Sequence, residues 1–239
     1  MNEATSPVRL LVHGASGRMG QALLRLAAER DDIAIAGAVS RRVEARVVDG
    51  IPHFAATELA GVPPFDVAID FSLPEAFDAI TQACVARDAA LVSGTTGLSP
   101  GQRQALDEAA GRIPVLWASN FSLGVAVLHE LVERAAAALP GWDCDIVEAH
   151  HTRKLDAPSG TALTLGEVAA RGGAQARYAS LRAGDIVGEH TVQFTAAGER
   201  IELIHRATSR DIFARGALHA AVRLRGRPAG HYSLRDLLD

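Results

Sequence analysis

Residues 8–39 constrain the fold more than any other stretch of the chain. Residues 8–12 are a short aliphatic run that ends in the turn Gly14-Ala15-Ser16-Gly17-Arg18-Met19-Gly20. Over residues 18–29, Met19, Ala22, Leu23, Leu26 and Ala27 recur at helical spacing, and residues 33–39 are a second aliphatic run. Strand, glycine turn, helix and strand within about 30 residues is the length of a βαβ unit. A chain that opens this way commits to a parallel sheet with helices packed on it.

The alternation continues. Residues 66–71 read as a strand, and 74–87 as a helix with Pro74 at a permitted first-turn position. Residues 90–93 read as a strand, 99–110 as a helix and 114–117 as a strand. After Asn120 the character changes. A long apolar helix over 123–139 is followed by a strand over 143–149, a helix over 159–171, a strand pair over 191–196 and 200–206, and a last helix over 209–224. The expectation is an α/β protein. Residues 1–121 and 210–239 form a Rossmann-type doubly wound parallel sheet domain, and 122–209 an inserted α+β domain.

Composition supports this and excludes several functions. Hydrophobic residues make up 48% of the chain but aromatics only 5%, which favours packing by small aliphatics over a β-sandwich. A net charge of -4 with interspersed signs offers no broad basic face, so no nucleic acid partner is expected. No apolar run approaches a membrane span, and residues 1–7 lack the pattern of a signal peptide. Cys84 and Cys144 stand far apart in apolar contexts and read as free buried thiols. The expected setting is the cytoplasm.

The glycine turn has the strand-to-helix context in which such a turn holds a pyrophosphate on the helix N-terminus. Its spacing is GxxGxxG, which also fits a ligand-free βα turn. At the end of the second strand, Ser40-Arg41-Arg42 offers a hydroxyl and two guanidiniums, which suit a 2′-phosphate, where a carboxylate would repel one. The preferred cofactor is therefore NADPH, with NADH as the alternative; ordinary surface arginines remain the plainer reading. Gly94-Thr95-Thr96-Gly97 follows a strand of the same sheet and could hold the nicotinamide end.

The densest chemistry lies in Glu148-Ala149-His150-His151-Thr152-Arg153-Lys154-Leu155-Asp156-Ala157-Pro158-Ser159-Gly160-Thr161. Ser159 suits an N-cap, and the helix start at Ser159, Gly160 and Thr161 offers amides and the Ser159 and Thr161 hydroxyls to a substrate carboxylate. Lys154 and the histidines add charge and proton donors. Adjacent histidines without a carboxylate or cysteine at metal-ligand spacing do not make a metal site, and no metal is expected. A solvated basic loop is the bland alternative.

These residues carry a family resemblance. The chain resembles the 4-hydroxy-tetrahydrodipicolinate reductases (dihydrodipicolinate reductases). The matching pieces are Gly14 to Gly20, Asp70-Phe71-Ser72-Leu73-Pro74, Gly94 to Gly97 and Ala118-Ser119-Asn120-Phe121-Ser122 with Gly124. They continue with Glu148 to Thr161, Arg182 to His190, and His205 with Ser209-Arg210. The resemblance implies reduction of 4-hydroxy-tetrahydrodipicolinate, a cyclic dicarboxylate, to tetrahydrodipicolinate with loss of water, on the route to diaminopimelate and lysine. It implies that Gly14, Ala15, Ser16, Gly17, Arg18, Met19, Arg41, Gly94, Thr95, Thr96, Ser119, Asn120, Phe121 and Ser122 line the cofactor. It also implies that His150 gives or takes a proton, that Lys154 donates one, and that His151, Gly160 and Thr161 bind substrate. The inserted domain would bind substrate and join a homotetramer. Many relatives have an acidic residue at the place of Ser40 and a longer loop between Ala170 and Arg182. Two other readings stay open from the residues alone: a different two-domain nicotinamide reductase, and a non-catalytic dinucleotide sensor.

Overall fold

The computed structural model describes residues 6–238, so the reading of residues 1–7 falls largely outside it. The chain forms two compact units, one running up to Phe121 and resuming at Phe213, the other Ser122–Ile212.

The first unit contains β1 (Val8–His13), α1 (Arg18–Ala27), β2 (Ile33–Ser40), β3 (Val47–Val48), β4 (Ile51–Ala55), β5 (Val67–Asp70), α2 (Pro74–Ala86), β6 (Ala90–Ser93), α3 (Pro100–Ala110) and β7 (Pro114–Trp117). Its sheet has the order β12-β7-β6-β5-β1-β2-β4-β3, where β12 is Gly230–Tyr232 near the chain end. Every pairing is parallel except β3 with β4. Strands run outward in both directions from β1 and β5, so the strand order reverses between them. In open α/β sheets, ligands bind at the carboxyl ends of the strands at such a switch point.

Both faces of the central strands are buried. Leu11, Ala68, Leu91 and Val115 form one face with Phe77 and Ile80 of α2 and Leu106 of α3. Leu10, Val12, Ile69, Val92 and Leu116 alternate to the other, all at 0% exposure. Continuous aliphatic runs such as VRLLVH and ALVS are therefore what a doubly covered parallel sheet requires.

The second unit contains α4 (Leu123–Ala138), β8 (Asp143–His150), α5 (Gly160–Arg171), β9 (Ala176–Arg182), β10 (Gly188–Ala196) and β11 (Glu199–Ala207). The final helix, α6, is Asp211–Leu224 and crosses the boundary between the units in sequence. The sheet order is β11-β10-β8-β9; β10 runs antiparallel to its two neighbours and β9 parallel to β8. One face is closed by Leu128, Val132, Leu165 and Val168 of α4 and α5 over Ile146, Val192 and Phe194. Residues 170–182 hold the end of α5 and the whole of β9, an edge strand that carries Arg182 into the site described below. Cys84 and Cys144 are both free and buried, and burial pushes the Cys144 thiol up to about 11. Among the described residues, no helix is long and apolar enough to cross a membrane.

Candidate active site

In the first unit, β1 runs straight into the glycine turn. Gly14 adopts φ +82, and a Cβ there would lie 2.5 Å from the Phe71 carbonyl oxygen, so glycine is required twice over. Gly20 packs on the backbone of Gly14 and Ala15, which brings α1 down onto the strand. α3, α4 and α5 are capped by the side chains of Ser99, Ser122 and Ser159, whereas α1 begins at Gly17 with no side-chain cap and no acidic residue in its first turn. Ser16, Gly17 and Arg18 are exposed there, and Met19 is half-buried. An uncapped helix start with exposed backbone fits an incoming phosphate, which supplies the missing acceptor and is favoured by the helix dipole.

Several of the residues expected to line the cofactor have side chains turned inward. Ser40 is buried, and its hydroxyl accepts from the Ser16 amide at 3.1 Å, so it pins the turn; Arg41 and Arg42 stand exposed just beyond it. Thr95 is also buried: its hydroxyl donates to Asp70 at 2.7 Å and its carbonyl accepts from the Trp117 indole at 2.8 Å. Thr96 and Gly97 are the exposed members of that loop. Phe121 is buried and stands edge-on to Phe71, while Ser119 is exposed and Asn120 half-buried.

In the second unit, the strand β8 delivers Glu148 and His150 to the same face, two residues apart. Glu148 is fully buried and accepts from four partners: His150 Nδ1 at 2.5 Å, Arg182 Nη1 and Nη2 at 2.9 and 2.7 Å, and the Ser159 amide at 3.3 Å. Burial alone would raise its carboxyl, but Arg182, Ser180 and His150 outweigh that and hold it down to about 2. Glu148 is therefore an anion that fixes the imidazole of His150 through Nδ1 and leaves Nε2 for other chemistry. His190 stands edge-on to His150, with ring centroids 5.2 Å apart. Burial, with a smaller contribution from His150, pushes His190 down to about 4, so it is neutral at neutral pH.

Ser159 caps α5: its hydroxyl accepts from the Ala162 amide at 3.2 Å and lies 3.0 Å from His190 Nε2. That hydroxyl, expected to meet substrate, is thus committed to the cap. Gly160 is exposed, and a Cβ added there would meet no described atom within 4 Å, so the helix start is open; Thr161 is half-buried beside it. Lys154 pairs with Asp156 at 2.8 Å, and because Asp156 is largely exposed the pair is weak and readily opened. His151 Nε2 lies 3.0 Å from Arg210 Nη2, and its pKa is lowered by burial first and then by Arg153 and Arg210. The unit thus gathers His150, His151, Lys154 and Arg210 with an open helix start, a set suited to an anion that must also receive a proton. Among the described residues, no group of three or more His, Cys, Asp or Glu side chains is placed to hold a metal ion.

Sequence reasoning assigned no role to Glu148, Arg182 or His190. The available signal was the i, i+2 spacing of Glu148 and His150 on one strand; Arg182 lies 34 residues from Glu148 and gives no local sign. His13 was likewise given no role, and Asp70 entered only within the matching stretch Asp70 to Pro74.

Comparison with known proteins identifies the family. A family model described as dihydrodipicolinate reductase, N-terminus, matches residues 8–121, and one described as dihydrodipicolinate reductase, C-terminus, matches 124–238. The 4-hydroxy-tetrahydrodipicolinate reductase of Stenotrophomonas maltophilia (strain K279a) is 73% identical over 235 residues, covering 98% of each chain. That of Xanthomonas campestris pv. campestris (strain B100) is 70% identical, covering 98% of this chain and 99% of the relative. The solved structure of dipicolinate-bound dihydrodipicolinate reductase from Paenisporosarcina sp. TG-14 superposes with a TM-score of 0.80 at 20% identity, over 95% of this chain and 97% of that one. The chain therefore belongs to the dihydrodipicolinate reductase family.

Proposed function

We propose that this chain, a pyridine-nucleotide reductase of that family, reduces 4-hydroxy-tetrahydrodipicolinate by using the Glu148-held His150 and Lys154 as its proton-handling groups. The observation that carries this reading is the juxtaposition of the Glu148–His150 pair with the open start of α5 at Gly160. The Gly14–Met19 turn would hold the nucleotide, whose nicotinamide would supply a hydride. The chain's own groups do the rest. The first-turn backbone of α5 at Gly160 and Thr161 orients one substrate carboxylate, with His151 and Arg210 beside it. Departure of the 4-hydroxyl as water takes up one proton at oxygen while the adjacent ring carbon gives one up, and hydride addition to the double bond so formed takes up one at carbon, a net uptake of one proton. Lys154 Nζ, once released from Asp156, donates to the leaving hydroxyl, and His150 Nε2, on a ring held through Nδ1, accepts the ring proton and returns one to carbon. The route to diaminopimelate and lysine is where the family's named reaction belongs.

A site built for two carboxylates has a direct test. Pyridine-2,6-dicarboxylate should inhibit competitively against substrate, and pyridine-2-carboxylate at least about tenfold less well, the cost of one lost charge-assisted bond. Equal inhibition by the two compounds would contradict a two-carboxylate site.

NADPH is the preferred cofactor, with NADH accepted. Arg41 and Arg42 project from the strand end next to the glycine turn, where Ser40 supports the turn and carries no charge. A charge-assisted bond to the 2′-phosphate is worth roughly 1.5–3 kcal/mol, less where solvent reaches it, so kcat/KM should favour NADPH by about ten- to a hundredfold. Arg41→Ala/Arg42→Ala should erase most of that advantage, and added salt should erode it. An unchanged ratio in the double variant would assign the preference elsewhere.

The assembly is read as a cytoplasmic homotetramer joined through the second unit. The sheet face opposite α4 and α5 exposes Val147, Leu181 and Ile204 among the ion pairs Arg177–Asp145 and Arg206–Glu189. An apolar strip on an uncovered sheet face is suited to meeting its own copy.

A further inference from the structure

A layer of buried polar side chains crosses the switch point of the first unit. On the face covered by α2 and α3, paired positions of β1, β5 and β6 form layers across the sheet. The inner layer is Leu11, Ala68 and Leu91; the last layer, at the strands' carboxyl ends, is His13, Asp70 and Ser93. All six are buried, with Asp70 and Ser93 at 0% exposure and His13 at 2%. His13 Nδ1 lies 2.8 Å from Asp70 Oδ1, which also accepts from the Ser72 amide at 3.1 Å. Asp70 Oδ2 accepts from Ser93 Oγ at 2.9 Å and from Thr95 Oγ1 at 2.7 Å, and Ser93 Oγ in turn accepts from the Thr95 amide at 3.2 Å.

We propose that the His13–Asp70 pair is a positioning device for the nucleotide: it locks the glycine turn and the Gly94–Gly97 loop to each other across the switch point. The proposal rests on the cofactor-site reading above. Its physical basis is a contrast of costs. Aliphatic side chains fill the inner layer, and replacing a buried charged pair by aliphatics of similar size is often neutral or stabilising. The polar layer is thus a poor choice for stability alone, and it occurs where the chain leaves the sheet for the loops assigned to the ligand. His13 immediately precedes Gly14, and Asp70 immediately precedes Phe71, against which both Gly14 and Gly94 are pressed. Ser93 immediately precedes Gly94, and Thr95 hangs from Asp70 by its hydroxyl. Burial alone would raise the Asp70 carboxyl, but the bonds from His13, Ser72 and Thr95 outweigh it, so the acceptor at the centre of the layer is an anion. One carboxylate therefore sets the spacing of both loops, and neither His13 nor Asp70 need touch the ligand to do so.

The test measures NADPH binding to the full-length enzyme by fluorescence titration, kcat at saturating NADPH, and Tm, in wild type, His13→Ala, His13→Asn, Ser93→Ala and Gly17→Asp. His13→Ala should raise the NADPH Kd about tenfold, the scale of one lost hydrogen bond to a charged group, and leave kcat at saturating nucleotide within about threefold of wild type. His13→Asn, whose amide can donate from near the Nδ1 position, should recover most of the affinity. Ser93→Ala, a small change that removes two of the bonds, should raise Kd by about threefold and carries the test if His13→Ala does not fold. Wild-type Kd in His13→Ala and Ser93→Ala, whatever their Tm, would overturn the proposal and leave the layer a purely structural feature. Gly17→Asp places a carboxylate at the start of α1 and should abolish tight NADPH binding. If Gly17→Asp binds NADPH normally, the cofactor-site reading fails and this proposal falls with it. If only Gly17→Asp is impaired, the reading stands and this proposal alone fails.

Discussion

Lys154→Ala and His150→Ala will each lower kcat by about 10²–10⁴-fold, the usual cost of removing a positioned general acid, while the NADPH Kd stays within about threefold of wild type. The split follows from placement. Both residues belong to the second unit, beside the open start of α5, and the loops assigned to the nucleotide up to Phe121 belong to the first. The two losses should also differ in kind. Lys154 sits on a mobile four-carbon stem and is held only by a solvent-exposed partner, so Lys154→Arg should recover charge but little rate. His150 is clamped by Glu148, so its replacement removes a fixed imidazole. Near-wild-type kcat in both alanine variants, measured with saturating NADPH, would remove them from the proton-handling role.

Glu148→Ala should be the most destabilising single change in the second unit. It strips a fully buried carboxylate from Arg182 and His150 and from the amide that starts the α5 cap. Breaking a buried pair by deleting one partner costs about 3–5 kcal/mol, here at the low end because Arg182 is partly exposed, so Tm should fall by roughly 10 °C. The acid limb of stability has a defined sign. The pKa of Glu148 is lower folded than unfolded, so its contribution is complete above about pH 4.5 and is lost as pH falls toward 2. The pKa of His190 is also depressed, so its contribution is complete above about 6.5 and lost toward 4. Melting curves on wild type should show Tm falling from about pH 6.5 downward in two overlapping stages, and in Glu148→Ala the lower stage should be flattened. A Tm within about 2 °C of wild type, or an unchanged acid limb, would show that the carboxylate carries little of the unit's stability.

Much of this architecture was legible in the sequence because it is written locally. β6 and β7 coincide with the aliphatic runs at residues 90–93 and 114–117, and Ser99 and Ser159 mark the helix starts by their capping chemistry. Three of the four edge strands, β3, β9 and β12, were not legible. β3 and β12 have two and three residues, and β9 is an ARYASLR run whose alternation of apolar and polar residues breaks between Tyr178 and Ala179. Such strands owe their form to the ladder of one neighbour, β8 in the case of β9, and not to their own composition. The same division runs through the site. The stretch from His150 to Thr161 could be read because its chemistry is contiguous. Glu148 with Arg182, and His13 with Asp70 and Ser93, could not, because strand register brings them together. Ser40 and Thr95 were assigned to the ligand by residue type; burial turns their hydroxyls inward to hold the loops that face it.

On the proposed function, the second unit presents a dicarboxylate substrate to its own proton-handling groups and NADPH is consumed in the process. Purified protein should therefore be mixed with NADPH and freshly generated 4-hydroxy-tetrahydrodipicolinate, and absorbance followed at 340 nm. The expected result is a steady fall in absorbance that requires substrate, is suppressed by pyridine-2,6-dicarboxylate, and is nearly abolished in Lys154→Ala. An unchanging signal from folded protein that binds NADPH, or equal turnover in wild type and Lys154→Ala, would contradict it.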